Sequence, residues 1–154
     1  ALFEPVLTYG VALWGGSYEN VVRSAQVLQN DAIRAITGQS RDTSVSIWYS
    51  KFRILQVHKI AVLRQALLAF KTVRGSISPD GPFEFVRRPV RSARFESSYR
   101  VPKVRLAASD HSLCCRLPTI WNKLPLSLRN VASVSVFKIG FTELLLQDQL
   151  DLRS

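Results

Sequence analysis

Gln56-Val-His-Lys-Ile-Ala-Val-Leu-Arg-Gln-Ala-Leu-Leu-Ala-Phe-Lys-Thr-Val-Arg-Gly75 carries apolar side chains at Val57, Ile60, Leu63, Leu67 and Phe70. Steps of three and four place them on one face of a helix that begins near Gln56 and ends near Gly75. Such a face must be buried against other elements, and the residues before it supply them. Between Ser17 and Thr37, a stripe of Val21, Ala25, Leu28, Ala32 and Ile36, with Val22 and Ile33 beside it, predicts a second helix. Ser17 is its N-cap, Glu19 sits near its positive end, and Gly38 stops it. Pro5 to Trp14 reads as a short apolar helix ended by Gly15-Gly16, and about Thr43 to Phe52 as another. Four helices joined by short loops make residues 1–75 a helical bundle, and the fold mainly α.

The pattern changes after Gly75. Residues 75–82 are rich in Gly, Ser and Pro, the composition of a turn or connector. Val101-Pro-Lys-Val-Arg-Leu106 and His111 to Leu117 are short, β-prone runs around a polar Ala-Ala-Ser-Asp turn, and can pair as a β-hairpin. Pro118 to Leu124 reads as a short helix closed by Pro125. Ser133 or Ser135 can cap a last helix bearing Val136, Phe137, Phe141, Leu144 and Leu145, in which Gly140 costs about 1 kcal/mol relative to Ala. The expected organisation is a bundle at 1–75, a basic connector at 76–100 and a small α+β tail at 101–154. The tail is too small to bury much surface alone and is expected to pack on the bundle.

The chain has 154 residues, 47% of them hydrophobic, with 21 Lys+Arg against 11 Asp+Glu and a net charge of +10. That apolar content excludes a disordered tail, and the length suits one domain. Met is absent and residue 1 is Ala, which we read as a piece of a longer chain rather than a trimmed mature protein. No apolar run approaches the ~20 residues of a membrane span. Cys114 and Cys115, the only cysteines, are adjacent, a poor arrangement for a disulfide and too few for a zinc site. They read as small side chains in a strand, and the usage suits a reducing, intracellular compartment.

The charge is concentrated. Residues 61–130 hold thirteen basic and four acidic side chains, whereas 131–154 hold two and three. Arg87, Arg88, Arg91, Arg94, Arg100, Lys103 and Arg105 face only Glu96 over their span. Arg predominates, and its planar fork suits phosphate. Phe95 and Tyr99, interleaved with the cations, could stack on unpaired bases. The same run would equally serve as a solvated linker. A membrane-surface role fits less well, because the run has no helical apolar face.

Catalytic sets are missing from the pattern. The acids are scattered, with no paired Asp motif of the metal-binding polymerase or nuclease type. No glycine-rich phosphate loop precedes a helix. His111, Ser112 and Cys114 lack an acidic orienter for a nucleophilic triad. We expect no enzymatic activity from this chain by itself.

Several blocks resemble a known family in order. Leu7-Thr-Tyr-Gly-Val-Ala-Leu-Trp-Gly-Gly16 is similar to the segment after the polymerase palm in non-LTR (LINE-type) retrotransposon reverse transcriptases, especially jockey-like elements. Gln29 with Ala32-Ile-Arg-Ala-Ile-Thr-Gly38 resembles the second block. Arg41, Ile47-Trp48 and Ile54-Leu-Gln-Val57 resemble the third, where the family more often has Leu-Phe at the Ile-Trp position. Ala93-Arg94 stands where those proteins usually show Thr-Arg. Val101-Pro-Lys-Val-Arg105 and Pro118-Thr-Ile-Trp-Asn-Lys-Leu-Pro125 resemble the closing blocks, and Phe137-Lys138 the last helix. The similarity runs over nearly the whole chain.

This resemblance implies the thumb of a reverse transcriptase and the segment beyond it. Fingers, a palm with its Asp-Asp magnesium site, and an endonuclease would lie upstream, so no cofactor is expected here. The implied partners are an RNA template, a DNA primer or target, and the upstream palm and fingers. A thumb grips template–primer without reading sequence, and Arg23, Arg34 and Arg41 become candidate phosphate contacts beside the seven connector cations. Neutralising seven phosphates of a single strand would give log K against log salt a slope of about −5. Tyr9, Trp14 and Trp121 are expected to be packing residues. The rival expectation is an interaction module in which an apolar helix, Val136 to Leu150, docks a partner or a second copy.

Overall fold

The structure is a computed structural model, and it describes residues 10–11, 19–75, 85, 98–103 and 112–147. Six helices occur among them: α1 (Glu19–Thr37), α2 (Ser46–Lys51), α3 (Val57–Val73), α4 (Leu113–Lys123), α5 (Leu126–Arg129) and α6 (Val134–Leu146). The fold is mainly helical, with no strand among the described residues. The expected helix at 5–14 lies outside them except for Gly10 and the fully buried Val11.

α3 is the central element. Val57, Ala61, Val62, Leu63, Gln65, Ala66, Leu67, Ala69 and Phe70 are all buried, so the helix is covered on more than the one expected face. Small Ala residues admit neighbours closely on the sides where the large apolar residues do not point. α4 and α6 flank it. Gln65 meets Arg116 and Phe70 meets Trp121, so α3 and α4 run in the same direction. Lys59 reaches the Leu145 carbonyl while Phe70 meets Phe137, so α6 runs the opposite way. A parallel neighbour requires a long return connection, and residues 74–112 provide it over the ~25 Å length of α3. The core holds Phe70, Trp121, Phe137 and Phe141, with Phe70 and Phe137 ring centroids 4.5 Å apart. The tail therefore shares one core with α3, as its small size led us to expect.

Two elements differ from the sequence reading. Leu113–Leu117 opens α4, so the second arm of the expected hairpin is helical, and Cys114 and Cys115 stand on a helix rather than a strand. The first arm is described only at 101–103, without regular structure, and 104–111 lie outside the described residues. The proline misled the boundary: Pro118 sits inside α4 rather than at its start. Leu113, Leu117, Ile120, Trp121 and Leu124 keep helical spacing across it, and burial of that face outweighs the lost backbone bond.

α1 ends at Gly38, whose φ of +67° and the Gln39 N–H bonded to the Arg34 carbonyl form a Schellman stop. Its buried face, however, is not the predicted stripe. Leu28 and Ile36 are 62% and 78% exposed, whereas Gln29 and Ile33 are 4% exposed. Amides hold this side. Gln29 Nε2 donates to the Leu55 carbonyl at 2.9 Å, and Gln26 Oε1 accepts the Val57 N–H, an orphan donor at the start of α3, at 3.0 Å. Tyr49 on α2 closes the network by donating to Asn30 Oδ1 at 2.6 Å. Ile33, Val45 and Tyr49 form a small cluster of their own, separate from the main core.

Candidate nucleic-acid interface

The end of the basic connector is laid along α4 by one side chain. Asn122 Nδ2 donates to the Tyr99 carbonyl, and the Tyr99 N–H donates to Asn122 Oδ1, both at 2.8 Å. Tyr99 is buried in the main core, edge-on to Phe85 at 5.0 Å and to Trp121 at 6.4 Å. It cannot present its face to a base, which corrects the stacking role expected from its place among the cations. Trp121, also buried, anchors the tail as expected.

From Tyr99 the chain runs antiparallel to α4, reaching Pro102 beside Cys115, where the carbonyl and Sγ are 3.9 Å apart. Arg100 and Lys103 project from this run and are exposed. Arg87, Arg88, Arg91, Arg94 and Arg105, with Phe95, lie outside the described residues.

Arg34 and Arg41 belong elsewhere, on the corner between α1 and α2. Arg41 is exposed. Arg34 is half-buried and occupied, with Nη1 2.9 Å from Asp31 Oδ1 and Nε and Nη2 each 3.4 Å from the Thr43 carbonyl. Its role in the described fold is to hold the loop that leads into α2. The structure thus sets Arg100 and Lys103 on the run beside α4 and leaves Arg34 and Arg41 on a different element.

Other cations brace the scaffold. Arg74 donates to the Arg129 and Val131 carbonyls at 3.1 and 2.7 Å and lies over the Phe70 ring. Arg129 donates to the Leu124 carbonyl at 2.8 Å and to that of Asn122. Burial lowers the Arg129 guanidinium below the ordinary arginine value. Arg53 pairs with Glu143 on α6. The positive charge is therefore divided between residues that tie carbonyls of helix ends and residues that stand in solvent.

Among the described residues no group of three His, Cys, Asp or Glu could hold a metal ion. Cys114 is exposed and Cys115 buried. No described helix is long and apolar enough to cross a membrane. Comparison with family models, curated proteins and solved structures returns no match.

The charge count does not single out Asn122, Gln26 or Gln29, which position these elements. Two of them do stand inside the resembling blocks, Gln29 in the second and Asn122 in Pro118–Pro125.

Proposed function

We propose that this chain is the thumb and post-thumb region of a jockey-like non-LTR retrotransposon reverse transcriptase, gripping template–primer or target nucleic acid without sequence specificity. The observation that carries this reading is the set of resembling blocks, in order, from Leu7 to Lys138. The concentration of cations from Arg87 to Arg105 supports it, as does the exposure of Arg100 and Lys103 beside α4. Helices packed on α3 form the thumb-like body, and the connector adds electrostatic grip on phosphates. Chemistry and magnesium belong to an upstream palm, and the setting is intracellular, nuclear or cytoplasmic. The test is a mobility shift of a primed RNA–DNA duplex over a range of salt. Binding that weakens steeply with salt is expected; no binding at low salt by folded protein overturns the reading.

A second reading, an interaction module, draws on exposed apolar side chains at the C-terminal end. Leu126, Val136 and Ile139 are 62%, 56% and 66% exposed. Leu145 faces the chain's own core and Leu144 packs against it, so they are not the docking face. Light scattering of the intact chain and of Val136→Ser/Ile139→Ser distinguishes the two: a dimer dissolved by the substitutions favours this module, and a monomer in both rejects it.

A further inference from the structure

Arg116 differs from Arg34, Arg74 and Arg129, the arginines that tie backbone carbonyls. It is half-buried on α4, and its Nε donates to Oε1 of Gln65 at 3.1 Å. Gln65, on the central helix, is fully buried, so this bond holds the guanidinium plane from behind. Arg34, Arg74 and Arg129 use their terminal nitrogens on backbone carbonyls, and Arg34 has a carboxylate as well. Arg116 faces a neutral amide alone: the ion pairs among the described residues are Arg34–Asp31 and Arg53–Glu143. Burial disfavours its charged form, with no counter-charge offsetting it. Every buried side-chain nitrogen and oxygen among the described residues has a partner, so the η nitrogens reach solvent.

A guanidinium held at Nε offers its η edge as a two-pronged donor with little rotamer freedom left to lose. Fork donors of this kind match the paired oxygens of a phosphate. The Pro102–Cys115 contact brings the connector, with the exposed Lys103 next in sequence, to this turn of α4.

We propose that Arg116, held by Gln65, is the anchor of a phosphate-binding site on α4. Resting on the thumb reading above, the phosphate is one of a nucleic-acid backbone; a free phosphate shares the chemistry and is the other source.

The test uses the full 154-residue chain with two probes, a primed RNA–DNA duplex and inorganic pyrophosphate. The readouts are duplex affinity over salt and the Arg116 Nε–Hε resonance, with circular dichroism melting as the folding control. Arg116→Gln is expected to weaken duplex binding about tenfold, the scale of a hydrogen bond to a charged group. It should also reduce the salt slope by about 0.9, one phosphate's share. Gln65→Glu keeps the shape and leaves Arg116 in place, but supplies an internal carboxylate, and should reproduce both effects. Duplex binding by the parent chain that neither substitution changes overturns this site and leaves the thumb reading standing. No duplex binding, with pyrophosphate moving the Arg116 resonance in the parent but not in Gln65→Glu, retains the site and overturns the thumb reading. A chain that responds to neither probe overturns both.

Discussion

Asn122 satisfies both backbone polar groups of Tyr99, accepting from its N–H and donating to its carbonyl at 2.8 Å each. One side chain thus does for the connector what a neighbouring strand would do. Asn122→Ala is expected to cost about 2–4 kcal/mol, because it leaves a donor and an acceptor near the core unpaired. Asn122→Asp keeps the acceptor for the Tyr99 N–H but turns a second oxygen toward the Tyr99 carbonyl, so it too should destabilise. Urea unfolding gives both values, and faster hydrogen exchange at the Tyr99 amide locates the loss.

Tyr49 supplies a pH signature. Burial raises its phenol above the ordinary tyrosine value, with the Gln26 hydrogen bond and Arg34 opposing that rise. The protonated form is thus the one the fold prefers. Its contribution is whole below the unfolded value of about 10 and is lost as pH climbs from there through the folded value. Tyr49→Phe should cost about 1 kcal/mol at neutral pH and remove this part of the alkaline loss. Melting temperatures of both chains between neutral and strongly alkaline pH check it; parallel curves would count against it.

Gly140 on α6 lies under Leu128: a Cβ built there would stand 2.8 Å from Leu128 Cδ2. The obstructing atom is the end of a side chain that can turn. In Gly140→Ala the helix gains about 1 kcal/mol of propensity, and crowding Leu128 offsets it, so the net change should be small. Shortening Leu128 first should release the gain. Thermal melts of the single and double substitutions form the cycle, and an additive result would show that the two residues do not couple.

Arg53 occupies the left-handed region at φ +52°, one residue beyond the C-cap of α2. The Ile54 N–H to Tyr49 carbonyl and Arg53 N–H to Ser50 carbonyl bonds make this a Schellman end, a place where glycine is preferred. Arg53→Gly relieves about 1 kcal/mol and gives up an exposed ion pair with Glu143, worth about 0–1 kcal/mol. It should leave stability unchanged or slightly raised. Arg53→Ala loses the ion pair with no relief and should be less stable, which denaturant midpoints will show.

Helices that bury apolar faces were readable from spacing, and their ends where glycine marks them. α3 and α6 are instances, with Phe137, Phe141 and Leu145 four apart on the buried side of α6. α1 was readable in extent but not in orientation. Leu28 and Ile36 of its apolar stripe stand exposed, and the amides of Gln26 and Gln29 take the inner side with Ile33, because the partner there presents a helix start that needs acceptors. Pro118 concealed half of α4, since a proline is an ordinary first residue and only burial on both sides reveals an internal one. The basic character of the connector was plain from composition. Which cations are free was not: Arg34 read like a phosphate ligand in sequence, and spends its donors on Asp31 and the Thr43 carbonyl.

The separate packing of Ile33, Val45 and Tyr49 means that the corner made by α1 and α2 can open without breaching the main core. Amide hydrogen bonds at Leu55 and Val57 join it to the start of α3, short-ranged and lost together. Native-state hydrogen exchange should therefore resolve two tiers of protection, a lower one for α1 and α2 and a higher one for α3, α4 and α6. Partial unfolding of that corner would uncap the first turn of α3 while the aromatic cluster around Phe70 stays closed.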